Sequence, residues 1–63
     1  MNISVIIPTL DNPDDVFDVI KSLNQQLLLP SEIVIVDSSS KDDIENLSKN
    51  IDSVIPITYA RFG

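Results

Sequence analysis

Residues Ile3 to Pro13 read ISVIIPTLDNP, and the chemistry of the chain changes abruptly halfway along them. Four branched apolar residues, Ile3, Val5, Ile6 and Ile7, run into Pro8, and threonine, aspartate and asparagine follow within a few positions. A β-branched run interrupted only by Ser4 suits a strand covered on both faces, as in a parallel sheet. The same event recurs in EIVIVDSSSKD, Glu32 to Asp42, where Ile33 to Val36 meet Asp37 and three serines. Two buried strands that each end in a polar loop imply one shared edge.

The residues between and after these strands supply the rest of the pattern. Asn12 is placed to cap a helix with Pro13 at its first position and Asp14 and Asp15 in the first turn, where free N–H groups and the helix dipole favour negative charge. Val16, Ile20, Leu23 and Leu27 recur at helical spacing, which predicts one apolar stripe facing the sheet. Pro30 ends that segment, and Glu32 to Val36 forms the second strand. Ser40 with Asp43 three residues on resembles a capping box, and Ile44, Leu47 and Ile51 predict a shorter second helix. Pro56 then precedes a third strand over Ile57 to Ala60. The order strand, helix, strand, helix, strand predicts right-handed crossovers into a parallel α/β sheet of spatial order 3-2-1, a three-layer Rossmann-like arrangement.

Composition limits what this sheet can do. At 63 residues the chain is one domain at most, and a domain of that size buries only about 60% of the surface its unfolded chain exposes. It contains neither cysteine nor histidine, so disulfides, thiolate metal sites and the usual general base are excluded. Chemistry must rest on carboxylates, hydroxyls and backbone. The net charge is −6, and the basic residues Lys21, Lys41, Lys49 and Arg61 are scattered, a pattern unsuited to gripping nucleic acid or an anionic membrane. The apolar runs fall far short of the roughly 20 residues needed to cross a bilayer, and Met1-Asn2 leads straight into a strand, so a soluble, cytoplasmic chain is expected.

In open α/β sheets ligands bind outside the carboxyl ends of the strands, next to the point where strand order reverses. PTLDN and DSSSKD are the loops at that edge beside the first strand. Asn12, Asp14, Asp15, Ser40, Asp42 and Asp43 are explained as helix caps and turn residues. Asp11 and Asp37 are less easily explained so. Asp37 follows four apolar residues at a strand end, where a partly desolvated carboxylate needs hydrogen-bond donors, although a plain turn role remains open to it. The only glycine is Gly63, so neither a G-x-G-x-x-G fingerprint nor a P-loop is present, and without histidine Ser38, Ser39 and Ser40 are caps or ligand contacts instead of nucleophiles.

SVIIPTLDNPDDVFDVIKSLNQQLLLPSEIVIVDSSSKD resembles the opening of the family 2 glycosyltransferases. Their GT-A domain begins with a strand ending in Ile-Pro-Thr-Tyr-Asn, passes a helix ending near Ser-Leu-x-x-Gln, and reaches a second strand ending in Val-Asp-Asp-Gly-Ser-Thr-Asp. Ser4 to Thr9, Ser22, Leu23, Gln26, Glu32 to Asp37, Ser40 and Asp42 match, while Leu10 and Asp11 replace the usual tyrosine and asparagine. The resemblance implies a partial GT-A domain that binds a nucleoside-diphosphate sugar, with Pro8, Thr9, Asp11 and Asp37 along the nucleoside. Ser38 stands where the family usually has a second aspartate suited to the N3–H of uracil, which leaves thymidine or another nucleotide as admissible as uridine. Ser39 in place of glycine argues against a positive φ there.

The resemblance also implies elements that these residues do not supply. Family members continue to an Asp-x-Asp motif holding Mg²⁺ or Mn²⁺ on the diphosphate and to an acidic base beside the acceptor hydroxyl; no Asp-x-Asp occurs here. Residues 1–63 are therefore expected to form a single truncated donor-binding domain without turnover of its own, the cation belonging to a full-length parent. Two other functions fit the same elements. One is a non-catalytic α/β remnant that binds a partner or itself, a homo-oligomer being expected through an open first-strand edge at Val5, Ile6 and Ile7. The other, a flavodoxin-like receiver, lacks its acidic cluster and later lysine.

Overall fold

A computed structural model of the chain describes residues 2–62. Three strands, β1 (Ser4–Thr9), β2 (Glu32–Asp37) and β3 (Ile57–Arg61), alternate with two helices, α1 (Pro13–Asn24) and α2 (Asp43–Asn50). The strands form one parallel sheet with β2 in the middle, which is the expected 3-2-1 order. Register aligns three rows across the sheet: Val5, Ile33 and Ile57; Ile7, Ile35 and Tyr59; Thr9, Asp37 and Arg61.

Side-chain alternation places those three rows on one face, and that face holds the core. Ile33 and Ile35 of β2 pack with Val16 and Ile20 of α1, Ile44 of α2, and Ile55 in the loop before β3. Ile7, Leu23, Leu47, Ile51, Ile57 and Tyr59 close around this cluster. Both helices thus cover the same face, as right-handed crossovers stepping twice in one direction require. Of the three layers expected, the described residues form two. The strands were expected to be covered on both faces, but the opposite face, with Ile6, Pro8, Val34, Val36 and Ala60, has no helix over it and Ile6 is 65% exposed.

Two helix boundaries depart from the sequence pattern. α1 stops at Asn24, so Leu27 does not extend the stripe and is 99% exposed. Asn24 accounts for the stop: its Nδ2 donates to the Ile20 carbonyl at 2.9 Å and to Ser53 Oγ at 3.0 Å, while its Oδ1 accepts the Val54 N–H at 2.8 Å. That cluster fastens the end of α1 to the loop leading into β3. The second departure is at α2, which begins at Asp43 with Asp42 as N-cap, so the expected Ser40–Asp43 capping box does not form. Asn12 does stand at the N-cap of α1 with Pro13 in the first turn, but its side chain turns back to accept the Leu10 N–H at 2.9 Å.

Truncating Ile35, buried in the middle of β2, to alanine removes packing on both sides of the core and is expected to destabilise the fold by about 2–5 kcal/mol. Leu27→Ala, at an exposed position, should stay within about 0.5 kcal/mol. Urea denaturation followed by circular dichroism measures both, and equal losses would contradict the packing described.

Candidate functional site

The carboxyl edge of the sheet is organised around one carboxylate. Asp37 ends β2 with no exposed surface, and its two oxygens are fully engaged. Oδ1 accepts the Thr9 hydroxyl at 3.0 Å, from a residue 28 positions earlier in the chain, and the Ser39 N–H at 2.9 Å. Oδ2 accepts the Tyr59 hydroxyl at 2.5 Å, with the Arg61 guanidinium 3.9 Å away. A buried carboxylate without such donors would be strongly destabilising. Burial alone would raise its pKa, but the hydrogen bonds from Ser39, Tyr59 and Thr9 outweigh it and hold the group at about 2. Burial, together with donation to this carboxylate, pushes the Tyr59 phenol upward.

The main chain closes the two loops on each other. The Ser38 N–H donates to the Thr9 carbonyl at 3.0 Å, extending the β1–β2 ladder past the strand ends. One residue further, the Asp11 N–H donates to Ser39 Oγ at 2.6 Å. Asp11 has φ +50°, in the left-handed region where aspartate and asparagine are the best tolerated residues after glycine. Ser39 does not adopt a positive φ, as its side chain predicted.

Pro8, Thr9, Asp11, Asp37 and Ser38 therefore come together at one edge. They divide into two kinds. Thr9 and Asp37, with Ser39, are the buried polar side chains among the described residues, whereas Pro8, Asp11 and Ser38 are exposed. In this conformation the first group frames the loops and the second faces outward.

Two residues of the frame escaped the sequence pattern. Tyr59 and Arg61 stand at alternate positions of β3, on the face that carries Asp37, and Arg61 is its register partner. Arg61 donates from Nε to the Tyr59 oxygen at 3.1 Å, from one terminal nitrogen to Asp42 Oδ1 at 2.9 Å, and from the other to the Lys41 carbonyl at 2.8 Å. Glu45 lies 3.6 Å from the same guanidinium. The side chain of Asp42, the N-cap of α2, is thereby drawn to Arg61 and makes no capping hydrogen bond. Aligning the strand ends in the 3-2-1 order would have set Tyr59 and Arg61 beside Asp37.

Two surface clefts lie away from this edge. One of about 210 Å³ is lined by Ile3, Val5, Gln26, Leu28, Leu29 and Pro30 at the amino end of the sheet, and another of about 280 Å³ lies between Phe17, Lys21 and Asn24 of α1 and Ile51 and Asp52. Among the described residues no group of three or more Asp, Glu, His or Cys side chains converges to hold a metal ion. No helix of the described residues is long and apolar enough to cross a membrane.

An open parallel α/β sheet with its polar loops converging at the carboxyl edge is the architecture of the Rossmann-like α/β folds, whose ligands sit outside the carboxyl ends of the strands. The family model described as glycosyl transferase family 2 matches residues 4–62, and the chain belongs to that family. Neither a curated protein nor a solved structure matches it.

The depressed Asp37 pKa makes the fold acid-sensitive in a defined window. Because the folded value, about 2, lies below the ordinary 3.8, the unfolded chain binds the proton first, so this contribution is complete above about pH 4 and is lost as pH falls through about 2. Urea midpoints measured from pH 6 to pH 2 should fall for the natural chain, and Asp37→Asn should be destabilised at pH 6 with a flatter acid limb.

Proposed function

We propose that residues 1–63 form the donor-binding edge of a family 2 glycosyltransferase, which takes the nucleoside diphosphate part of a nucleotide sugar. The observation that carries this is the fastening of the loops after β1 and β2 through Thr9, Asp37 and Ser39, which leaves Pro8, Asp11 and Ser38 exposed at the same edge. An exposed, partly polar edge suits a base and ribose: Pro8 supplies apolar contact, Ser38 a neutral donor or acceptor, and Asp11 an acceptor for ribose hydroxyls. Asp37 contributes by holding both loops in place. Sugar transfer itself needs a cation on the diphosphate and a base beside the acceptor hydroxyl, and in this proposal these lie outside residues 2–62. Turnover by the 63-residue chain alone is not expected.

Uridine diphosphate titrated into the ¹⁵N-labelled chain should shift the amides of Thr9 to Asp11 and Ser38 to Ser39. Asp37→Asn loosens the fastening of both loops and should weaken binding, while Asp14→Asn, in the first turn of α1, should change it little. Shifts confined to the amino end of the sheet, or none for any nucleotide, would refute the assignment.

A second reading, self-association, is favoured by the outer side of β1. The carbonyls of Ile3 and Thr9 accept from Ser31 and Ser38, the residues flanking β2, so by alternation Ser4, Ile6 and Pro8 turn their backbone groups outward, and Pro8 has no N–H to present. Ser4 and Ile6 keep a donor and an acceptor each, beside the uncovered apolar face. Two copies could pair there antiparallel about Ile6. Sedimentation equilibrium should show dimerisation that Ile6→Lys abolishes; a monomer at high concentration would eliminate this reading.

A further inference from the structure

Family membership and the two strand-end loops leave the third strand without a task at the site, yet the hydrogen bonds at the carboxyl edge converge on it. The two oxygens of Asp37 are served from different directions: Oδ1 from β1 and from the loop that follows β2, through Thr9 and Ser39, and Oδ2 from Tyr59 of β3. The Tyr59 oxygen in turn accepts from Arg61 Nε, and the remaining guanidinium nitrogens reach Asp42 and the Lys41 carbonyl. The series Thr9, Asp37, Tyr59, Arg61, Asp42 thus runs from the end of β1 across the sheet and back to the start of α2.

We infer that Tyr59 and Arg61 are positioning residues of the donor-binding edge, setting the orientation of the Asp37 carboxylate and, through it and Asp42, the course of the loop that carries Ser38 and Ser39. The inference rests on the donor-binding function proposed above. Its physical basis is geometric. A carboxylate held only at Oδ1 can rotate about its Cβ–Cγ bond, whereas a donor on each oxygen fixes the plane, and with it the direction in which Oδ1 holds the Ser39 N–H. Ser39 Oγ then accepts the Asp11 N–H, so the left-handed turn at Asp11 depends on a residue from the opposite edge of the sheet. Arg61 acts on the other end of the same loop. Its fork engages Asp42 and the Lys41 carbonyl together, a geometry that an ammonium group cannot reproduce. Tyr59 is half-buried with its oxygen on Asp37, and the exposed Arg61 has its nitrogens taken up by Tyr59, Asp42 and the Lys41 carbonyl, so their effect on a ligand is exerted through the loop.

The charged and titratable groups around Asp37 are Tyr59 and Arg61 from β3 and, across Arg61, Asp42 and Glu45 at the start of α2; β1 contributes the uncharged Thr9 hydroxyl. This makes the carboxylate itself the reporter. The ¹³Cγ shift of Asp37, followed against pH in the ligand-free chain, should titrate near 2 in the natural sequence and move upward, toward 3.8, in Tyr59→Phe, with the Ser39 and Asp11 amides shifting alongside it. Uridine diphosphate should then bind Tyr59→Phe several-fold more weakly, with its contact amides unchanged in identity. Arg61→Lys, which retains charge but loses the fork, gives a second arm: it should displace the Lys41 to Asp43 amides and weaken binding by a smaller factor, and it keeps the test decisive if Tyr59→Phe fails to fold. An unchanged Asp37 titration and unchanged Ser39 amide in Tyr59→Phe would overturn the inference, as would unmoved Lys41 to Asp43 amides in Arg61→Lys. If the titration moves as described while the natural chain binds no nucleotide, the positioning holds and it is the donor-binding function that fails.

Discussion

The buried carboxylate of Asp37 is the constraint on which the carboxyl edge depends. A charge with no exposed surface is tolerated only when its lone pairs are satisfied, and here the donors come from the end of β1, from the loop after β2 and from β3. One side chain therefore demands that all three strands end level with each other. The parallel register delivers this, because Thr9, Asp37 and Arg61 form one row. The aspartate that ends the second strand in the family resemblance is, in this chain, first a fastening between loops.

The outward residues owe their positions to that fastening. Ser38 is held by its own N–H on the Thr9 carbonyl, and Asp11 by its N–H on Ser39 Oγ, which leaves both side chains exposed on an ordered backbone. Order on an exposed edge reduces the conformational entropy that a ligand must remove on binding. The core supplies the rigid support: six buried apolar residues, all on one face, join β2 to both helices. The opposite face has no comparable cover, and its apolar residues lie beside a first strand whose outward backbone groups are free of β2. A proline at the last outward position of that strand limits how far any further pairing can extend.

Much was legible in the amino-acid order. The β-branched runs at Ile3 and Ile33, Pro13 after Asn12, and the spacing of Val16, Ile20 and Leu23 each specify local structure through backbone sterics and helical period, so five elements, their order and the polar edge could be placed without coordinates. Pro8, Thr9, Asp11, Asp37 and Ser38 could be gathered at one edge because parallel pairing brings successive strand ends together.

Other features depended on contacts distant in sequence. Apolar spacing alone carried α1 on to Leu27, but Asn24 meets Ser53 and Val54 and the helix ends there. Asp42 and Ser40 had the composition of a cap, but a guanidinium from the far end of the chain captured the Asp42 carboxylate, and Ser40 lies outside the helix. One covered face in place of two follows from the 3-2-1 order with both crossovers right-handed, a consequence of the expected order that the continuous apolar strands masked. In the sequence Tyr59 showed only a place in the third strand and Arg61 only a scattered charge just past it, and their hold on Asp37 arises because β3 runs on to Arg61 and the sheet sets it beside β2. The sequence by itself determined the elements and the residues able to bear charge at their ends; the tertiary structure alone decided which donors meet which acceptors, because hydrogen bonds act over about 3 Å and the chain brings these partners that close only when the sheet has formed.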